Sequence, residues 1–465
     1  MKQYDLIVIG AGPGGTPAAT AAAQFGKKVL LIDKRGEPGG ECLFEGCIPS
    51  KILENAANRY AMLKNATEFH IDLSHAPQIH WEQVIAEKAA LLQHRAQAAL
   101  KQIEAMPTLD FLGGVAAFID EHTIEVGGER YRFDKAIVAT GASAHIPPLQ
   151  GEGVAHAWTN ADIFNQTELP DEIAFIGAGA ISCELVQMFA KLGVKCHILE
   201  RGPRILKRID EEAALVVQNR MQAQGIDVIL NVTFGEIEGK EGDFTIHYEQ
   251  GGEKKSLKVP HLLIATGRAA NVEGIGLEKA GVEYDRHGIK VDKTLQTSQP
   301  HIYAVGDCAV GPKFAHWASY EAGIAIHNLF APFKHEIEEN KLSWVLFSDP
   351  QIASAGLTEA DAAKAGIEVT VEKYDYRVDA RAQIDKDPEG FVKFVIDKQS
   401  NVIKGVQVVS YDASSLSGEA SLIVANGLKP MDVMRTIHPH PTLTEAFGKL
   451  AQKLFFASMM RERRG

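Results

Sequence analysis

Apolar and polar positions over residues 4–33 follow one order: an apolar run (YDLIVI), a glycine turn (GAGPGG), an alanine-rich helical stretch, and a second apolar run ending in Asp33. The order returns over 171–200 in DEIAFIGAGAISCELVQMFAKLGVKCHILE, which ends on Glu200. Gly10 lies 23 positions before Asp33, and Gly177 lies 23 before Glu200. Strand, turn, helix, strand and terminal acid is the order of a dinucleotide-binding βαβ unit. One such motif is weak evidence; two with matched spacing are strong.

The spacing has a physical reading. Gly10 permits the tight turn out of the strand, Gly12 lets the backbone approach a pyrophosphate, and Gly15 lets helix and strand pack closely. The pyrophosphate then sits at a helix N-terminus, where free N–H groups and the dipole favour negative charge. Asp33 and Glu200 end their strands where ribose hydroxyls would donate to them. The second copy has Ser182 at the third glycine position, a small residue expected to pack there.

Two further apolar strands, FDKAIVATGAS (133–143) and VPHLLIATGRA (259–269), each end in Ala-Thr-Gly and are expected to return the chain to its own sheet. About forty more residues separate Asp33 from Gly141 than separate Glu200 from Gly267. The surplus holds GGECLFEGCIPSK (39–51) and the long helical pattern WEQVIAEKAALLQHRAQAALKQIEAM. The first nucleotide unit therefore carries an insertion with two cysteines five positions apart. From about Lys341 the pattern changes to strands such as EGFVKFVID and NVIKGVQVVS with intervening helices, a separate α+β domain.

Composition narrows the reading further. A chain of 465 residues, 45% hydrophobic and 23% charged, suggests two to four domains of an ordinary globular protein. A net charge of −12 argues against nucleic acid as a main partner, and the locally basic RERRG end reads as a solvated terminus. No apolar stretch reaches the roughly eighteen residues of a membrane span, and the first apolar run enters a glycine motif instead of a cleavage site. Five cysteines make no disulfide framework, so a cytoplasmic location is expected.

Taken with the two glycine motifs, GGECLFEGCIPSK, YAVGDCA (303–309) and HPHPTLTEAF (438–447) make the chain resemble the flavin-dependent pyridine nucleotide disulfide oxidoreductases over essentially its full length. It is most similar to their dihydrolipoamide-oxidising branch. The resemblance implies an α/β fold of two Rossmann-like dinucleotide-binding domains and a C-terminal α+β dimerisation domain. It implies an FAD domain over 1–145 and 271–340, an NAD domain over 146–270, and dimerisation over 341–465. For FAD it implies Gly10, Gly12, Gly14, Gly15, Asp33, Lys34, Gly40, Lys51, Gly114, Ala116, Thr140, Gly141, Gly306, Asp307, Ala315 and His316. Asp307 would bind the ribityl chain, while Ala315 and His316 would lie near the isoalloxazine. For NAD(H) it implies Gly177, Gly179, Ala180, Ile181, Glu200, Gly267 and Arg268.

Cys42 and Cys47 could be a structural bridge, a metal site or a redox pair. Zinc would want four Cys or His ligands, and no second pair lies nearby at suitable spacing. A static bridge is disfavoured in a reducing compartment. A redox pair fits best, because IPSK begins a helix just after Cys47 and a helix N-terminus favours the thiolate. The resemblance assigns Cys42 to exchange with substrate and Cys47 to the flavin, with Lys51 beside the flavin and paired to Glu184. Exchange needs a proton acceptor. Of seventeen histidines the family pattern selects His440, directly before Pro441, with Glu445 orienting its ring and His438 as the competitor. It implies that His440 reaches the disulfide of the other subunit.

Three positions depart from the family pattern: Glu41 stands where Thr is usual, and Phe44-Glu45 where Asn-Val is usual. Two added carboxylates are expected to disfavour thiolates nearby. Glu200 argues for NAD over NADP, although Arg201, Arg204, Lys207 and Arg208 follow it. Cys183, Cys196 and Cys308 read as buried small hydrophobes. The expected activity is oxidation of a protein-bound dihydrolipoyl dithiol with NAD+ through FAD. The alternatives are NAD(P)H-dependent reduction of another disulfide or of mercuric ion, or a flavin redox sensor without turnover. The cysteine-free tail FFASMMRERRG counts against mercury.

Overall fold

The first βαβ pattern folds as written: strand β1 (Lys2–Ile9), helix α1 (Gly15–Gln24) and strand β2 (Val29–Asp33). β2 is buried along its whole length, which is why its five residues form one apolar run without alternation. This computed structural model describes residues 1–462, so Arg463, Arg464 and Gly465 of the basic end lie outside the described residues. The molecule is of mixed α/β class, and its contacts divide it into two compact units.

The first unit comprises residues 1–148, 158–169 and 263–337. After β2 come helices α2 (Gly40–Phe44), α3 (Cys47–Lys64) and α4 (Trp81–Glu104), then strands β3 (Leu109–Gly113), β4 (Ala116–Asp120), β5 (Thr123–Val126) and β6 (Glu129–Val138). They form a sheet of order β3-β2-β1-β6-β5-β4. β1 pairs in parallel with both β2 and β6, so FDKAIV does return to the sheet of its own unit. The long β6 also pairs with β5 and with strand Ile302–Ala304, which brings the GDC segment to the C-terminal ends of β1 and β6. On one face, Leu6 and Val8 pack against Ala18, Ala19 and Ala22 of α1 and Ala322 and Ala325 of the helix Ala315–Phe330. On the other face, Ile7 and Ile9 meet Phe118, Phe133 and Ile124. α4 is pinned at its N-terminal half by Trp81 Nε1, which donates to Gln166 O at 3.0 Å, and by the buried Lys88, which donates to Phe164 O and to Asn165 Oδ1.

The second unit comprises, among the described residues, 149–157, 170–262 and 338–462. Its βαβ repeat is strand Glu172–Ile176, helix Ala180–Lys191 and strand Lys195–Leu199, with Asp227–Ile229 pairing in parallel beyond. An antiparallel meander follows over Val232–Lys240, Asp243–Gln250 and Glu253–Val259. The C-terminal part is a five-stranded antiparallel sheet, ordered Ser343–Leu346, Gln351–Gly356, Ile403–Ser410, Phe391–Asp397, Val369–Asp375. Its core joins Phe394, Val406 and Val408 to Leu416 and Ile423 of helix Ala413–Ala425 and to Phe447 and Leu450 of helix Glu445–Glu462. Cys183, Cys196 and Cys308 are all buried, as small hydrophobes would be. Among the described residues, no helix is long and apolar enough to cross a membrane.

Candidate functional site

At the first glycine turn, Gly10 has φ +106°, and a Cβ on Gly15 would lie 1.7 Å from Gly10 O. Only a glycine fits there, so the strand end and the helix meet backbone to backbone. Asp33 Oδ2 accepts from Ala11 N at 2.8 Å and Oδ1 from Arg35 N at 2.9 Å. The acid thereby braces the turn, and each oxygen keeps a second lone pair for a ribose hydroxyl. α1 has no side-chain cap and no acid in its first turn. Its leading N–H groups stay available to an anion. By contrast, helix Glu359–Lys364 is closed by a capping box from Thr358 and Asp361. Gly114 N donates to Asp33 O, and Ala116 is buried just beyond. Lys34 is exposed. Thr140 and Gly141 hold the Asn271 loop through Thr140 Oγ1 to Asn271 O (2.7 Å) and Asn271 N to Gly141 O (2.9 Å).

The redox segment closes over this turn. Gly39 N donates to Ala11 O at 2.7 Å, and a Cβ on Gly40 (φ +58°) would lie 2.6 Å from Gly12 Cα. α2 then carries Cys42, and α3 begins at Cys47 with no capping side chain and no acid in its first turn. The two thiols interact: the hydrogen bond to Cys47 and burial push the Cys42 thiol well above the ordinary thiol range, while Arg95 pulls the other way. Lys51, one turn along α3, pairs with Glu54 at 2.8 Å.

The two unusual carboxylates do not act on the thiols as expected. Glu41 accepts from both terminal nitrogens of Arg268, Nη1 at 2.6 Å, and from Asn160 Nδ2 at 2.9 Å. Glu45 is paired with Arg35, whose guanidinium also covers the Phe44 ring at 4.5 Å. Each added negative charge is matched by an arginine, so the raised Cys42 pKa comes mainly from Cys47 and burial. Sequence reasoning missed Asn160 and Arg35, whose roles depend on where the chain returns.

Arg268 also donates to Ala142 O at 2.7 Å and through Nε to Asp307 Oδ2 at 3.1 Å. Burial pushes the Asp307 carboxyl up against the opposing pull of Arg268 and Lys313. Gly306 N donates to the buried Glu321 at 2.6 Å, and His316 stacks on Phe314 at the start of its helix. Glu321 was not foreseen; its place in EAG, one helical turn and a half past Ala315, was the available signal. Glycine turn, uncapped helix, bracing acid and half-buried Asp307 together fit an FAD.

The second turn repeats the first bond for bond. Glu200 Oε2 accepts from Ala178 N at 2.9 Å and Oε1 from Gly202 N at 2.8 Å, and Gly177 has φ +94°. Helix Ala180–Lys191, which opens with Ala180 and Ile181, again lacks a capping side chain and a leading acid. These residues fit a second dinucleotide. Arg204 donates to the carbonyls of Ile205, Leu206, Lys207 and Ile209, which makes it a loop brace and not a free phosphate ligand. Gly267 (φ +152°) accepts from His145 N. Glu184 Oε1 accepts from Phe347 N at 2.8 Å.

The two histidines of HPHP differ sharply. The His438 side chain is 8% exposed and its Nε2 meets Glu419 at 2.8 Å. That of His440 is 71% exposed, with Nδ1 at 3.0 Å from Glu445. Burial raises Glu445, but the Thr442 amide, the His440 ring and Lys449 outweigh it and hold the carboxyl below its usual range. The ionised carboxylate favours a proton on Nδ1 and leaves Nε2 as the basic atom.

The model of the pyridine nucleotide-disulphide oxidoreductases matches residues 4–322, and that of their dimerisation domain matches 342–451. A dihydrolipoyl dehydrogenase of Thermus scotoductus is 36% identical, covering 98% of each chain. A mercuric reductase of Staphylococcus aureus is 32% identical over 97% of this chain and 82% of its own length. The solved flavoprotein disulfide reductase RclA of Escherichia coli, a HOCl-induced protein captured with Cu(II), superposes with a TM-score of 0.87 at 26% identity, covering 97% of this chain and all (100%) of its own. Paired glycine turns, a cysteine pair on one of them and this full-length similarity lead to one conclusion: the chain belongs to the pyridine nucleotide-disulphide oxidoreductase family and is an FAD enzyme that uses NAD(H).

Proposed function

We propose that this enzyme oxidises a protein-bound dihydrolipoyl dithiol to its disulfide, with NAD+ as the acceptor and Cys42–Cys47 as the exchanging pair. The observation that carries the reading is the hydrogen-bonded thiol pair in a chain 36% identical to a dihydrolipoyl dehydrogenase over nearly its full length. With the pair oxidised, one substrate thiol gives its proton to His440 Nε2 as its sulfur attacks Cys42 Sγ. The Cys42–Cys47 bond breaks and Cys47 leaves as a thiolate. The second substrate thiolate then attacks the sulfur bonded to Cys42, which releases the cyclic disulfide and leaves both cysteines reduced. FAD, when bound, supplies the two-electron relay from the dithiol pair to NAD+. Glu445 holds the His440 ring and offsets its charge as it takes the proton. The dimerisation domain supports a homodimer in which, as the resemblance implies, His440 serves the other subunit's cysteines.

Anaerobic titration of the yellow protein tests this. NADH should bleach the visible flavin absorption, as should dihydrolipoamide supplied alone; bleaching by NADH only would refute the dithiol assignment. His440→Gln should lower dithiol oxidation by about 10² to 10⁴ and spare NADH oxidation with an artificial acceptor, whereas His438→Gln should spare both. The mercuric reductase and RclA similarities favour a second reading, NAD(P)H-driven reduction of another disulfide or of a metal ion. Faster turnover with one of those oxidants than with lipoamide would establish it.

A further inference from the structure

α4 does more than span the insertion. Leu92 and Ala96, one turn apart, pack on Leu43, Phe44, Ile48 and Ile52, the residues flanking Cys42 and Cys47. Gln93 on the same turn donates to Glu37 at 2.8 Å, just ahead of the Gly39–Gly40 bend. The turn 92–96 is therefore seated on the redox segment at two points, and Arg95 lies within it on the exposed side. Of the charged groups around the pair, Glu41 is paired with Arg268, Glu45 with Arg35 and Lys51 with Glu54. Among the described residues Arg95 makes no ion pair. Its charge is nevertheless felt at the Cys42 sulfur, which it biases towards the thiolate.

We infer that Arg95 is a substrate-recognition residue, an anion subsite beside the exchange thiol that takes a carboxylate carried close to the sulfurs of the incoming dithiol or disulfide. An unpaired guanidinium offers a planar fork matched to carboxylate geometry. In a chain of net charge −12 an isolated cation at the exchange point discriminates between approaching anions and neutral compounds. The inference rests on Cys42 as the thiol that meets substrate. The carboxylate could belong to the dithiol compound or to the protein presenting it, and the chemistry is the same.

Alkylation of the NADH-reduced holoenzyme decides the matter, because iodoacetate and iodoacetamide differ only in the carboxylate. Both require the thiolate, so a change confined to the Cys42 pKa alters the two rates together and cancels in their ratio. Arg95→Gln should lower the iodoacetate-to-iodoacetamide ratio about five- to tenfold, and Arg95→Lys should keep most of it. An unchanged ratio with Cys42 modified would overturn the inference. Modification mapped to Cys47 instead would remove the exchange-thiol reading itself, and the inference with it. Two substrate pairs then locate the carboxylate: dihydrolipoate against dihydrolipoamide, and a peptide with dihydrolipoyl-lysine between glutamates against the same peptide with glutamines. At least one anionic member should lose its advantage in kcat/KM in Arg95→Gln; equal losses for the anionic and neutral members of both pairs would refute recognition of a carboxylate.

Discussion

The turn at Gly10–Gly15 and the turn at Gly177–Ser182 share their acid-to-amide bonds, yet their surroundings diverge. Around the first, Gly40 presses on Gly12, Gly39 bonds to Ala11, and Gly15 has no room for a side chain. Around the second, a Cβ on Gly179 would meet nothing within 4 Å, and Ser182 holds the position of Gly15 with its side chain buried. The same βαβ grammar thus makes an enclosed cradle and an open one. An enclosed cradle suits a cofactor that stays, and an open one suits a nucleotide that exchanges each turnover. The redox segment creates the difference, since it is the insertion that covers the first turn.

The sharpest way to break this comparison is a matched pair of substitutions. Gly15→Ala places a methyl carbon against Gly10 O and should cost about 3 kcal/mol or more, with loss of FAD on purification. Ser182→Ala should cost only about 1 kcal/mol and leave FAD in place. Comparable thermal melts and flavin content for the two variants would show that the turns are equally tight. Next, Gly40→Ala combines a left-handed φ with a 2.6 Å approach to Gly12 Cα. It should destabilise the protein by roughly 2 to 3 kcal/mol, whereas Gly179→Ala should leave the melting temperature unchanged and raise KM for NADH instead.

The acids sharpen the comparison further. Glu200→Ala removes a charged hydrogen-bond acceptor and should weaken NADH by roughly 1.5 to 3 kcal/mol, with the preference over NADPH narrowing. Because Arg204 is committed to four carbonyls, wild type should discriminate against NADPH; equal use of both would show that Arg201, Lys207 and Arg208 decide the choice.

The smallest effect concerns pH at the enclosed site. A thiol whose folded pKa lies above its unfolded value adds stability that is fully present below the unfolded pKa and is lost as pH rises through the folded one. Cys42 is such a thiol, through its bond to Cys47 and its burial. The reduced protein should therefore lose stability as pH rises above about 8.5, and Cys42 alkylation should go on accelerating there. Cys47→Ala should shift the alkylation profile to lower pH and make the stability loss above that pH smaller; no change in either would mean that burial alone raises the thiol.

Much of this was legible before any fold was known. Spacing from glycine to acid is a local property of strand, turn and helix, and both repeats appear with their terminal acids in place, each bonded to its own glycine turn. The placing of Cys47 at the start of α3 was legible for the same reason, and the family pattern pointed to His440 with Glu445, which the structure pairs at five positions' separation. The effect of Glu41 and Glu45 was not. Their charges looked adverse to a thiolate because neighbours in sequence supplied no counter-charge to Glu41, and its partner Arg268 lies 227 positions away.

By itself the sequence determined the repeated nucleotide units and the insertion within the first, carried by periodicity and spacing within short segments, while the candidate reactive side chains came from the resemblance to a family. Only the tertiary structure decided which charges are neutralised, which turn is enclosed and, among the described residues, that Arg95 beside the redox segment has no ion pair. Arg268 and Asn160 bond to the redox segment, and the turn that carries Arg95 packs on it, from strands and helices elsewhere along the chain. Coulomb energies fall with distance in space and not along the chain, so no local pattern could have ranked them.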